Sequence, residues 1–168
     1  DNMLLAGLVS KGLVYDLSEY EDMIPAEIGK NLYEEFKVDG KLYYMPFHPN
    51  VKIEFYDEDK FNEYGLEAPE KWEDVENVAK TFYDKEGIAR YAYMAKNGGA
   101  TTVTLFELIR SYGGDPTVLN DEGSVKAFQI LQDLWTYTSA EVPTTSYAQM
   151  NQFLADGTVY MGENWPYC

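Results

Sequence analysis

The spacing of apolar residues along the chain predicts several amphipathic helices. A long helix is predicted after Pro69, where the apolar residues that recur at helical spacing are Trp72, Val75, Val78, Ala79 and Phe82. A second long helix is predicted after a capping Asp121, with an apolar set of Val125, Phe128, Leu131, Leu134 and Trp135. Further helices are predicted over 3–11, 26–36, 57–64 and 147–155, and another is predicted to run to Tyr112 with Thr101 or Thr102 as its cap.

Strands are predicted between these helices. Apolar residues at 51, 53 and 55 alternate with Lys52, Glu54 and Tyr56, which is typical of a half-buried strand. Asp39-Gly40 lies between two apolar runs and predicts a hairpin turn. Segments 88–94 and 158–161 are also predicted as strands, and 13–17 as a strand or an extended turn. Because strands alternate with helices, the predicted fold class is α/β.

Charge and rare residues narrow the possible functions. The chain has 168 residues and a formal net charge of −16, which repels nucleic-acid phosphates and anionic lipids. We therefore expect no nucleic-acid partner. One cysteine, Cys168, and one histidine, His48, exclude an internal disulfide and a multi-histidine or cysteine-rich metal site. We expect no cofactor and no catalytic residues.

The order of several segments resembles a known family. "GLVSKGLVYDLSEY", "VDGKLYYMPFHPNVKIEFYDEDKFNEYGL" and "PEKWEDVENVAK" are followed by Gly113-Gly114-Asp115 and by "FLADGTVYMGENW". This order is similar to that of the extracellular solute-binding proteins of ABC importers, in the sugar-binding group that includes the maltose-binding proteins. Two segments depart from the usual family pattern, Tyr56-Asp57-Glu58-Asp59 and Glu163-Asn164-Trp165-Pro166, and these departures concern ligand identity.

The resemblance implies a periplasmic-binding-protein-like fold of two α/β lobes, of which this chain is an internal fragment. Residues 1–50 would form the late part of the first lobe with its hairpin and crossover, and 51–168 most of the second lobe, incomplete at its C-terminal end. It also implies a monomer outside the cytoplasm, attached to the membrane only through a lipid anchor or the permease. The receptor would close around a small solute, and ABC permease subunits would be its partners.

The resemblance also indicates ligand-binding residues. Trp165 falls where the family places a ligand-stacking tryptophan, and Asn50, with His48 beside it, falls in the crossover that lines the cleft. Asn97, Thr101 and Thr102 fall near a contact loop at a helix N-terminus, which can bind an oxyanion or sugar hydroxyls. Packing or hinge roles for Trp165 and His48, and plain helix capping for the threonines, remain the alternatives.

Other functions stay open on the sequence alone. Carbohydrate is the first expectation for the ligand, because aromatic plates with Asn, Asp, Glu and glycine loops suit sugars, but a polyamine, a metal chelate or a short peptide is also possible. A glycoside hydrolase would need two carboxylates in one cleft, and most carboxylates here fall on predicted exposed helix faces. A third possibility is an interaction module that has lost its ligand.

Overall fold

The computed structural model describes residues 4–47 and 50–166 of the chain. His48, a predicted ligand residue, lies outside the described residues. The chain divides into two compact units, Asp1–Asn50 and Val51–Cys168, called the first and second unit below. Within the described ranges, no helix is long and apolar enough to cross a bilayer.

The first unit consists of short elements. Its helices are α1 (Leu5–Ser10), a 3-10 helix (Ser18–Met23), and α2 (Lys30–Tyr33), which continues into a 3-10 turn (Glu34–Phe36). Strands β1 (Lys37–Val38) and β2 (Lys41–Leu42) pair antiparallel across the predicted turn. Asp39 has φ 52° and Gly40 φ 76°, the left-handed pair that a type I′ hairpin turn requires.

The structure shortens one predicted helix of the first unit and decides between two alternatives for another segment. The helix expected over 26–36 begins only at Lys30, because Gly29 is extended at ψ 136° and Pro25–Ile28 form a separate turn. Of the two alternatives for segment 13–17, the structure shows no strand, which leaves the extended turn; the Leu17 N–H donates to the Leu42 carbonyl.

The second unit is built on a three-stranded mixed sheet. Its strands are β3 (Ile53–Tyr56), β4 (Tyr91–Ala92) and β5 (Met161–Asn164), in the spatial order β3-β5-β4. β3 runs antiparallel to β5, and β4 runs parallel to it. The predicted strand at 158–161 is displaced to 161–164, because Asp156 holds the Thr158 backbone N–H (2.9 Å) in a turn. The strand predicted over 88–94 is only two residues long.

In residues 51–166, five helices and two 3-10 turns accompany this sheet. The helices are α3 (Glu58–Tyr64), α4 (Trp72–Glu86), α5 (Gly99–Ser111), α6 (Glu122–Leu134) and α7 (Tyr147–Asp156), and the turns are Trp135–Tyr137 and Val142–Thr144. The predicted cap of α6 is confirmed: the Asp121 carboxylate accepts from Ser124 N–H at 2.7 Å. Asp57 likewise caps α3 by accepting from Lys60 N–H at 3.0 Å.

The main core lies between the sheet and its helices. The predicted apolar face of α4 is buried, with Phe82 and Ala79 fully enclosed and Trp72 partly buried at the edge of the core. The predicted face of α6 was wrong in part. Val125, Phe128 and Trp135 are 57%, 42% and 57% exposed, because α6 turns a different stripe inward, Ala127, Ile130 and Leu134.

Candidate functional site

At one edge of the second unit's sheet, two strands end, one strand begins and two helices start. β4 and β5 are parallel, so both end at this edge, and β3 begins there because Ile53 pairs with Asn164. After β4 the chain turns into α5, and after β5 it continues to Trp165. In α/β sheets, ligands bind outside the carboxyl ends of the parallel strands. We call this region the carboxyl edge.

The loop before α5 is fixed to the segment before α7. Lys96 N–H donates to the Thr145 carbonyl at 3.0 Å, which holds the loop two residues from the start of α7. Gly98, with φ 108° and ψ −140°, has a conformation that side chains disfavour, and it lets the chain turn into α5. Asn97 and Gly98 are exposed at this turn. The N-termini of α5 and α7 therefore both lie at the carboxyl edge.

The predicted capping role of Thr101 or Thr102 was wrong. α5 begins at Gly99, after Gly98, and both threonines lie inside its first turn. The Thr101 hydroxyl donates to the Lys96 carbonyl at 2.8 Å, and the Thr102 hydroxyl donates to the Gly98 carbonyl at 3.0 Å. Each hydroxyl oxygen can still accept a hydrogen bond, so the pair offers acceptors rather than donors to a ligand.

Trp165 is half-buried and held in a defined orientation. Its ring meets that of Tyr147 edge to face, with centroids 5.0 Å apart and an interplanar angle of 79°. Its backbone N–H donates to the buried Asn164 side chain at 2.9 Å. The Asn164 amide in turn donates to the Tyr147 carbonyl at 3.0 Å and to the Asn151 side-chain oxygen. Tyr147 and Asn164 were not predicted as site residues. Asn164 could have been suggested by its place next to Trp165, but Tyr147 is distant in the sequence and only the fold brings it to Trp165.

Most of the described residues that are predicted to bind ligand belong to the second unit. Asn97, Thr101, Thr102 and Trp165 lie at the carboxyl edge of the second unit. Asn50 is exposed and belongs to the first unit. The ligand-binding role of all of them stays a prediction.

Sequence reasoning missed a charged cluster beneath β3 and β5. The Lys52 ammonium lies 2.6 Å from a Glu163 carboxylate oxygen and 2.6 Å from one of Glu107, and the Lys52 and Glu163 side chains are only 5% and 4% exposed. The Thr104 hydroxyl donates to the other Glu163 oxygen at 3.0 Å. Burial raises the pKa of the Glu163 carboxyl, and Lys52 opposes that rise.

Glu54 is the most unusual member of this cluster. It lies directly across from Glu163 in the β3–β5 register. Burial, with the neighbouring Glu163 charge, raises the pKa of the Glu54 carboxyl well above the ordinary glutamate value. Within the described part of the chain, its Oε1 atom and the buried Tyr91 hydroxyl have no hydrogen-bond partner.

Two charged side chains at the start of β3 are buried while their apolar neighbours are exposed. Val51 is 70% exposed and Ile53 43% exposed, whereas Lys52 and the Glu54 carboxyl are buried. The alternation of side chains was visible in the sequence, but its orientation was not, because Lys52 is compensated by residues far along the chain, Glu107 and Glu163. No group of three acidic, histidine or cysteine side chains in residues 4–47 and 50–166 could hold a metal ion.

A pocket of about 320 Å³ opens onto this cluster. Its polar wall comes from Lys52, Glu54, Glu107 and Glu163, and its apolar wall includes Trp72. Among the residues that the structure describes, none of those predicted to bind ligand is part of its lining. The pocket nevertheless borders the carboxyl edge, because its lining residue Ile53 pairs with Asn164, which directly precedes Trp165.

The comparisons with known proteins identify the family. A family model described as bacterial extracellular solute-binding protein matches residues 1–167. The chain belongs to this family, and the predicted resemblance is confirmed. Membership of a family of extracellular proteins indicates a location outside the cytoplasmic membrane.

Individual relatives agree with this assignment. A protein named "Probable ABC transporter-binding protein" from Deinococcus radiodurans is 30% identical over 183 aligned positions, covering 96% of this chain and 42% of the relative. The chain therefore spans less than half the length of that relative.

Solved structures of the same fold include carbohydrate complexes. Maltose-bound MalE3 of T. maritima has a TM-score of 0.78 at 23% identity, covering 92% of this chain and 42% of that one. A solute-binding protein of Thermotoga lettingae bound to α-D-tagatose has a TM-score of 0.81 at 19% identity, covering 97% and 45%. These likenesses confirm the predicted α/β class and the solute-binding-protein fold.

Proposed function

We propose that this chain is part of the receptor of an ABC importer, which captures a small solute, a sugar or an oligosaccharide, and delivers it to membrane permease subunits. The proposal depends on the arrangement of residues at the carboxyl edge of the second unit. There two helix N-termini, the Asn97–Gly98 turn and a half-buried Trp165 occur together, in a chain of the solute-binding family.

The chemistry of this edge suits a carbohydrate. The Trp165 ring offers an apolar plate for the CH face of a sugar, and its contact with Tyr147 fixes the angle of that plate. Asn97 adds an exposed amide, and the hydroxyls of Thr101 and Thr102 add acceptors. The bound sugars named for MalE3 and the Thermotoga lettingae protein support this ligand class.

In the proposed receptor, the first unit is part of one lobe and the second unit most of the other. Asn50, and His48 beside it, would then contact the ligand from the crossover. Ligand contacts with both lobes would favour the closed form by hinge motion. The receptor binds its ligand without chemical change and without a cofactor. We further propose that it is a monomer, held at the cell surface by a lipid anchor.

A matched pair of tryptophan variants tests the proposal. The protein is expressed from its complete gene, screened by thermal shift against a panel of mono- and oligosaccharides, and titrated calorimetrically with each sugar that binds. We expect Trp165→Ala to weaken sugar binding by about 1–3 kcal/mol, the usual value of an aromatic anchor. Trp135→Ala is the control, because Trp135 is 57% exposed and lies in the 3-10 turn after α6.

Three results would contradict the proposal. Equal binding by the Trp165 and Trp135 variants would remove Trp165 from the site. Turnover of a glycan would indicate a glycoside hydrolase instead of a receptor. A complete panel that gives neither heat nor thermal shift would favour an interaction module without a sugar ligand.

A further inference from the structure

The buried Asn164 side chain is fully engaged in hydrogen bonds at the carboxyl edge. Its oxygen accepts from the Trp165 backbone N–H at 2.9 Å. Its nitrogen donates to the Tyr147 carbonyl at 3.0 Å and to the side-chain oxygen of Asn151. A side-chain amide has two donor hydrogens and one acceptor oxygen, so an aspartate in the same place would lose both donors. The network therefore requires an amide at this position.

These bonds join the end of β5 to the first turns of α7. Asn151 follows Tyr147 by four residues, so the two lie one helical turn apart on the same side of α7. Trp165 directly follows Asn164, and its ring meets the Tyr147 ring edge to face at 5.0 Å. The backbone and the ring of Trp165 are therefore both held against the same part of α7.

The segment before α7 also holds the loop that carries Asn97. The Lys96 N–H donates to the carbonyl of the buried Thr145 at 3.0 Å, and Thr145 lies two residues before the start of α7. Trp165 and Asn97 are thus both fixed with respect to the N-terminus of α7. A ligand binds more tightly to groups that are already in place, because less free energy is lost in ordering them.

We propose that Asn164 and Asn151 are positioning residues, which set the angle of the Trp165 ring and its distance from Asn97 and so act on the ligand through Trp165. This inference rests on the proposed function, in which Trp165 is the plate that stacks on a sugar. Asn151 is the better residue to test, because it is only partly buried, whereas Asn164 is enclosed in the sheet.

The first test is made without ligand. The protein from its complete gene is labelled with fluorotryptophan, and the fluorine NMR signal of Trp165 is assigned with Trp165→Phe. We expect Asn151→Leu, which removes the acceptor oxygen, to shift or broaden this signal. Asn151→Asp keeps an acceptor and should restore it. Gln152→Leu is the matched control, because Gln152 is exposed on the same helix and donates to Asp156 at 3.2 Å.

The second test measures sugar binding by calorimetry. The probes are the sugars of the panel described above, with maltose and α-D-tagatose included. Asn151→Leu should weaken the binding of a sugar by about threefold to tenfold, the usual effect of losing one hydrogen bond, and Asn151→Asp should bind as the natural protein does. In the Trp165→Ala background, Asn151→Leu should cause no further loss, because a positioning residue acts only through the ring.

The outcomes separate this inference from the proposed function. If no sugar of the panel moves the Trp165 signal of the natural protein, the proposed function fails at this residue and the positioning role falls with it. If a sugar moves the signal but Asn151→Leu binds that sugar as tightly as the natural protein, only the positioning role is overturned. An unchanged Trp165 signal in ligand-free Asn151→Leu, or equal losses of affinity in the natural and Trp165→Ala backgrounds, would overturn it as well.

Discussion

Glu54 makes the clearest residue-level prediction, because a buried carboxyl faces another carboxyl across two paired strands. Its pKa is raised in the folded protein, so the folded state holds a proton that the unfolded state releases at a lower pH. The free energy of unfolding therefore falls as pH rises from about 4.3, the ordinary glutamate value, through the raised pKa.

Glu54→Gln removes this titration while keeping the shape of the side chain. We expect the variant to be more stable than the natural protein above the raised pKa, by about 1–3 kcal/mol, and to lose this part of the pH dependence. Urea unfolding measured at a series of pH values between 4 and 9 checks the result. Glu67→Gln, at an exposed position, serves as the control, and an unchanged pH profile for Glu54→Gln would refute the assigned burial.

At the scale of elements, the turn that ends α5 and the start of α6 are packed so closely that a side chain does not fit between them. A Cβ atom placed on Gly123 would lie 2.3 Å from the Gly114 backbone nitrogen and 2.7 Å from the Tyr112 carbonyl oxygen. Both neighbours are backbone atoms and cannot rotate away. The absence of a side chain at Gly123 therefore lets the first turn of α6 pack against the turn that ends α5.

Gly123→Ala should consequently destabilise the protein by about 1–3 kcal/mol, as overpacking of a close contact does. Gly7→Ala in α1 is the matched control, because no atom lies within 4 Å of the added Cβ. Alanine favours a helix by up to about 1 kcal/mol over glycine, so the control should be neutral or stabilising. Thermal unfolding of both variants decides the point, and equal melting temperatures would argue against the close approach of α5 and α6.

For the whole molecule, buried apolar residues are divided very unequally between the two units. The buried apolar side chains of the first unit are Leu5, Tyr33 and Leu42 among the described residues, whereas both hydrophobic clusters belong to the second unit. A segment of about 50 residues with so small a core seldom folds alone.

A fragment of residues 51–168 should therefore unfold cooperatively by itself, and a fragment of residues 1–50 should not. Circular dichroism during heating, with urea unfolding as a second probe, measures both. Loss of cooperative unfolding in the 51–168 fragment would show that the second unit depends on the rest of the protein for its fold.

The sequence by itself determined the local features whose cause lies within a few residues. Asp39-Gly40 forms the predicted turn, Asp57 and Asp121 lie at the helix starts, and α4 buries its apolar stripe, because turns, caps and helical periodicity depend on neighbours in the chain. The ordered series of such segments was also sufficient to indicate the family.

The tertiary structure decided what depends on distant partners. Lys52, which directly precedes β3, is buried because Glu163 and Glu107, more than 50 residues away, form ion pairs with it. α6 exposes Phe128 and Trp135 because its contacts with the core involve Ala127, Ile130 and Leu134 instead. A period of two or of 3.6 residues shows that a face exists, but only packing against the rest of the chain determines which face is buried.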